Sequence, residues 1–137
     1  MALVLLSIAL FWAGRRTEPW QPVQLMEPAQ LAAKLTSADS TKPFIISIGP
    51  AASIKTSVAI GPAGEAENLE KLQTLLTSVD KNQEIVIYCG CCPFKHCPNV
   101  RPAFALMNKM GFTNHKLLNL ANNLKVDWLD KGYPVND

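Results

Sequence analysis

Charge is sparse in this chain. Only 18% of its 137 residues are Asp, Glu, Lys or Arg, and the formal net charge is +2. So small an excess excludes a nucleic-acid surface built on bulk charge. The shortage is not that of a disordered chain, because 48% of the residues are hydrophobic, enough to form a core. Long apolar runs are scarce as well. The one at the N-terminus covers Met1 to Gly14, broken only by Ser7. At about 1.5 Å per residue it reaches roughly 21 Å, short of the roughly 30 Å of a hydrocarbon core. No second candidate span follows it, and no internal repeat or low-complexity segment is visible. Cysteine is missing from residues 1–88 and 98–137. That excludes a disulfide framework spread over the fold and marks the four cysteines that do exist as a site.

The N-terminal apolar run is followed by Arg15-Arg16. It is expected to be an export signal or membrane anchor covering residues 1–16. It lacks a basic leading region and an Ala-x-Ala cleavage site, so an ordinary buried segment is the alternative. The expected location is correspondingly exported (periplasmic or secreted) or membrane-anchored, with the cytoplasm as the alternative. Residues 17–27, with Glu18-Pro19-Trp20-Gln21-Pro22, read as an extended linker, because each Pro pushes its predecessor out of the helical region. One domain is expected over residues 28–137.

Within that domain strands and helices alternate. Pro28 to Leu35 reads as a helix with Pro in its first turn. Phe44 to Ile48 and Ser57 to Ile60 read as strands closed by Gly49-Pro50 and Gly61-Pro62. Glu65 to Ser78 is a helix with Leu69, Leu72, Leu75 and Leu76 on one face. Glu84 to Tyr88 is a strand apolar on both faces and so central. Asn99 to Met110 is a helix, with Asn99 as its cap and Gly111 as its stop. His115 to Leu120 is a strand, and a short helix follows Asn122-Asn123. This pattern predicts an α/β fold: a five-stranded, mainly parallel sheet in three layers, with helices on both faces.

All the sulfur chemistry is concentrated in Cys89-Gly90-Cys91-Cys92-Pro93-Phe94-Lys95-His96-Cys97. Cys89 ends a strand near a helix start, where unpaired N–H groups favour an anion. Lys95, His96 and Arg101 are close in sequence, and positive surroundings favour the thiolate. Cys89 is therefore the candidate nucleophile. Gly90, Cys91, Cys92, Lys95, His96 and Arg101 are candidate substrate-binding residues, with Lys95 and Arg101 suited to an anionic donor. Cys91, Cys92 and Cys97 are candidates for a resolving thiol or a disulfide that pins the loop. A metal held by Cys91, Cys92, His96 and Cys97 is the alternative, with soft ligands for Zn or Cu(I). No cofactor is otherwise expected, and covalent haem is excluded because Cys-x-x-Cys-His is absent. Phe94 either shields the sulfur or anchors the loop, and Tyr88, Trp128 and Tyr133 are packing residues.

The order Tyr88-Cys89, loop, helix, Gly111-Phe112, strand, Asn122-Asn123, Trp128 and Gly132-Tyr133-Pro134 resembles a rhodanese-like domain. The resemblance implies a five-stranded parallel sheet. It implies that Cys89 carries sulfane sulfur as a persulfide, cradled by loop N–H groups and a basic side chain. It also implies a small sulfur donor such as thiosulfate, or a protein persulfide, as partner, and no nucleic acid. The sequence departs from the family in having Ser47-Ile48-Gly49 where an Asp-x-Arg signature is usual, and in a longer loop before the helix at Asn99.

Overall fold

The computed structural model describes residues 17–38 and 41–137. The leader expected over residues 1–16 lies outside them. Among the described residues no helix is long and apolar enough to cross a membrane. The strands are β1 (Leu25–Met26), β2 (Phe44–Ser47), β3 (Val58–Ala59), β4 (Ile85–Tyr88) and β5 (His115–Leu118). The helices are α1 (Pro28–Thr36), α2 (Ala66–Leu76), α3 (Val100–Lys109) and α4 (Leu124–Asp127). The sheet order is β1-β5-β4-β2-β3, and every pairing in it is parallel. The three-layer α/β architecture read from the sequence is the architecture observed.

Alternation along the strands splits the core into two. Ile46, Ile85, Ile87 and Leu117 face α2 and α3, where they meet Leu72, Leu76, Ala103, Phe104 and Met107. Ile45, Val86, Tyr88 and Leu118 point the other way, onto Leu31 and Ala32 of α1 and onto Trp128. β4 is buried at all four positions, as a central strand covered on both faces must be. Full burial of each large apolar side chain contributes about 1.5–3 kcal/mol relative to exposure. Both layers therefore hold β4 in place.

Residues 17–27 are more structured than a linker. Leu25 and Met26 pair with Leu117 and Leu118 as an edge strand. Trp20 is buried and meets Phe94 and Phe104 edge-on, with ring centroids 6.0 and 5.8 Å away. Two residues are too few to show a strand period, which hides β1 from a reading of the sequence.

Candidate functional site

β4 runs between β2 and β5, and its last residue, Tyr88, pairs with Ser47. Cys89 is the next residue, just past the carboxyl end of the strand. That is where open parallel sheets present their ligand sites. Tyr88 is structural: its buried hydroxyl accepts from the Ile54 N–H at 3.1 Å and bonds Ser57 Oγ at 2.8 Å. Trp128 is fully buried, and its indole N–H donates to the Pro134 carbonyl at 2.9 Å.

Gly49 and Gly90 let the chain close around Cys89. A Cβ on Gly49 would collide with the Cys89 carbonyl oxygen and lie 3.0 Å from its Sγ. The end of β2 thus forms one wall of the sulfur site only because that wall has no side chain. Gly90 takes φ +91°, a left-handed value that favours glycine, and its carbonyl accepts from the Leu124 N–H at 3.0 Å. Gly49→Ala should therefore cost about 1–3 kcal/mol of stability by overpacking, measured by urea unfolding, and should slow alkylation of Cys89. An unchanged midpoint and alkylation rate would show that the two loops are not in contact.

Beyond Gly90 the loop is pinned rather than free. Phe94 opens a single 3-10 turn, Phe94–His96. It is buried against Trp20, and its N–H donates to the Leu120 carbonyl at 3.2 Å. It is the loop's anchor. The turn brings Cys97 back under Cys89, so that the Sγ atoms of Cys89, Cys91 and Cys97 all lie within 4.8 Å of one another. Cys91 Sγ is 3.3 Å from Cys89 Sγ and 3.3 Å from Cys92 Sγ. Cys89 and Cys97 are buried, at 5% and 1% exposure, whereas Cys91 is exposed and Cys92 half-buried. All four are free thiols.

Asn99 does not cap α3 with its side chain. Its Oδ1 accepts from the Gly64 N–H at 2.8 Å, and its Nδ2 donates to Cys89 Sγ at 3.3 Å. The Gly64 N–H can only donate, so it fixes which end of the carboxamide carries oxygen. The NH2 end must then face the sulfur, and NH2 can only donate. Asn99 is itself buried at 5% exposure. It is a hydrogen-bonded strut that favours an anionic Cys89. In the sequence it reads as a cap, because its real partners are the loop before α2 and the end of β4.

Around Cys89 the hydrogen bonds push in one direction. The Cys97 thiol has the largest effect, and burial opposes it. The Asn99 carboxamide, the Cys91 N–H and the Cys91 thiol add to the Cys97 effect, and together they hold Cys89 well below the ordinary thiol value, at about 5. The partners move the other way. Desolvation of its sulfur, with the neighbouring Cys89, pushes Cys91 up to about 12. Cys97 is raised by the bond it gives to Cys89 and then by burial. One thiolate and two protonated neighbours is the state these contacts favour.

The basic residues expected beside the sulfur lie elsewhere. Arg101 is engaged by Glu18, Nε to Oε2 at 2.9 Å and Nη2 to Oε1 at 2.9 Å. It also donates to the Lys95 carbonyl at 2.9 Å and sits 5.5 Å from the Trp20 ring centre. Its donors hold the N-terminal segment against the loop. Lys95 is exposed and lines a cavity of about 300 Å³ with Leu25, Phe94, Asn119 and Ala121, with no cysteine in its wall. His96 is exposed and is not among the residues that could share an ion. The group with metal-ligand spacing is Cys89, Cys91 and Cys97, not the set Cys91, Cys92, His96 and Cys97. Neutral donors, rather than cations, favour the thiolate here. No family model, curated protein or solved structure matches the chain; what the geometry offers is a buried thiol at the end of a central strand with Asn99, Cys91 and Cys97 as its hydrogen-bond partners.

Proposed function

We propose that this chain is a rhodanese-like sulfurtransferase that carries sulfane sulfur as a persulfide on Cys89. The observation that carries the reading is the set of donors around Cys89 Sγ: Asn99 Nδ2 at 3.3 Å, the Cys91 N–H, and the Cys91 and Cys97 thiols. A thiolate favoured near neutral pH is the nucleophile that sulfane chemistry needs. The resemblance of the stretch from Tyr88 to Pro134 to rhodanese-like domains supports the same choice. With thiosulfate as donor, the Cys89 thiolate attacks the outer sulfur. The S–S bond of the donor breaks, and sulfite leaves with its electron pair. Cys89 then holds a persulfide that a second nucleophile collects. The burial of Cys89 favours a small anionic donor such as thiosulfate over a persulfide carried on a protein.

The test uses the reduced chain with thiosulfate, without any other thiol. The expected result is one sulfite released per chain and a mass gain of about 32 Da, one sulfur atom, on the peptide that contains Cys89. Cyanide should remove the added mass as thiocyanate. Absence of both sulfite and mass gain would overturn the proposal. The three sulfurs within 4.8 Å of one another also suit a soft ion such as Cu(I) or Zn. If the purified chain carries one such ion and takes up sulfur neither before nor after its removal, that second reading replaces the first.

A further inference from the structure

Cys89 is well placed to receive sulfur and badly placed to give it away. It is 5% exposed, with Gly49 packed on one side and Cys97 and Asn99 on the other. At that exposure access depends on the size of the reactant: a small anion is favoured over a thiol on a protein surface. One residue beyond Gly90, the exposed Cys91 stands 3.3 Å from the same sulfur, and Cys92 another 3.3 Å on. The step from Cys89 to Cys91 thus leads from a buried sulfur to an exposed one, with the half-buried Cys92 beside it.

We propose that Cys91 is a sulfur relay: it takes the outer sulfur from the Cys89 persulfide and presents it to a bulky thiol acceptor, such as one on another protein. This rests on the sulfurtransferase reading above. In the step, Cys91 Sγ attacks the outer sulfur of the persulfide. A bond forms between Cys91 Sγ and that sulfur, and the bond from that sulfur to Cys89 Sγ breaks. Cys89 leaves with the electron pair as its thiolate, and the Cys91 proton passes to the transferred sulfur. One persulfide is exchanged for another, so there is no net oxidation and no further reactant is needed.

The direction of the step follows from the same contacts. In thiol exchange the better leaving group is the thiol of lower pKa, and Cys91, 3.3 Å from the Cys89 sulfur, is the thiol placed to attack. Cys89 leaves into its set of hydrogen-bond donors, whereas the Cys91 thiolate would have none of comparable number. Attack on the inner sulfur instead would expel hydrosulfide and leave a Cys89–Cys91 disulfide. Bridging two residues separated only by a left-handed Gly90 demands close geometry from both, so the outer sulfur is the favoured target.

Two acceptors of different size test this. Cyanide is small enough to take sulfur from Cys89 itself; a thiol on a polyethylene glycol chain is not. The chain is charged with thiosulfate, and the rate of sulfur delivery to each acceptor is measured for wild type and Cys91→Ser. The expected result is that the ratio of polymer-thiol rate to cyanide rate falls by at least about tenfold in the variant. Fragment mass spectra of the charged wild type should place the added sulfur on Cys91 as well as Cys89. That second measurement holds even if the variant folds poorly. An unchanged ratio, added sulfur on Cys89 alone, or release of one hydrosulfide per chain with a disulfide formed would overturn the relay while leaving the sulfurtransferase reading intact. No sulfite from wild type would instead overturn the reading on which it rests.

Discussion

Cys89→Ser should abolish sulfur uptake from thiosulfate, a fall of roughly a thousandfold or more, to the uncatalysed background. An alcohol in that position has no accessible anion near neutral pH, and Cys91 and Cys97 cannot replace it. Burial still disfavours the thiolate of both once the contacts with Cys89 are gone. The same substitution has a second expected signature, in stability. In the folded chain Cys89 loses its proton near pH 5, against 9.0 for an ordinary thiol. Between those values the unfolded chain holds a proton that the folded chain has released, so wild-type stability should rise with pH. Below about pH 5 both states are protonated and this contribution is gone. Above about pH 9 the slope reverses, because Cys91 and Cys97 keep protons in the fold that the unfolded chain gives up. Buried His115, its pKa lowered by desolvation, adds a rise below about pH 6.5 in both chains. Urea unfolding should therefore show the rise from about pH 7 to 9 in wild type and its absence there in Cys89→Ser. A variant that kept both sulfur uptake and the rise would show that Cys89 is neither nucleophile nor thiolate.

Asn99→Asp should have the next largest effect, and without removing any sulfur. One carboxylate oxygen can keep the bond from the Gly64 N–H, now 2.8 Å. The other then replaces the NH2 group that donates to Cys89 Sγ at 3.3 Å. A donor becomes a negative charge. Whichever of the two groups holds the proton, the pair takes one up at higher pH than Cys89 does alone. The shift expected from a like charge in contact is about 1–3 pH units. The rate of iodoacetamide alkylation should thus rise with a midpoint near 5 in wild type and above about 6 in the variant. At pH 5.5 the variant should react more slowly, by about threefold for a shift of one unit and about twenty-fivefold for two. Coincident profiles would show that Asn99 does not set the charge of the thiol.

The parts of this protein that were legible in its sequence are those decided by local pattern. β4 announces itself as Ile85-Val86-Ile87-Tyr88, apolar on both faces. α2 and α3 announce themselves through apolar residues at helical spacing, and Cys89 through its place after a strand. What escaped was decided by distant partners. Arg101 is committed to Glu18, 83 residues away in the chain, and no local pattern signals such a pair. Asn99 answers to Gly64, 35 residues away. Gly49 looks like an ordinary turn glycine, yet its task is to leave room for Cys89. His96 was placed with the cysteines by proximity in sequence, but the 3-10 turn over Phe94–His96 leaves it exposed while Cys97 turns inward. The spatial grouping within the loop depends on that turn, and a single turn carries too little periodicity to be read from residue types.

Every sulfhydryl of this chain lies between Cys89 and Cys97, and the clusters that support them are otherwise mainly hydrocarbon and aromatic rings, with the thioethers of Met26, Met107 and Met110. The chassis and the working part are thus chemically separate. With no cysteine in any strand or helix of the sheet and its covering layers, a disulfide formed within this chain can close only a short ring inside the loop and cannot tie distant halves of the domain together. Reduction of such a bond would release the loop and leave the packing between the layers untouched.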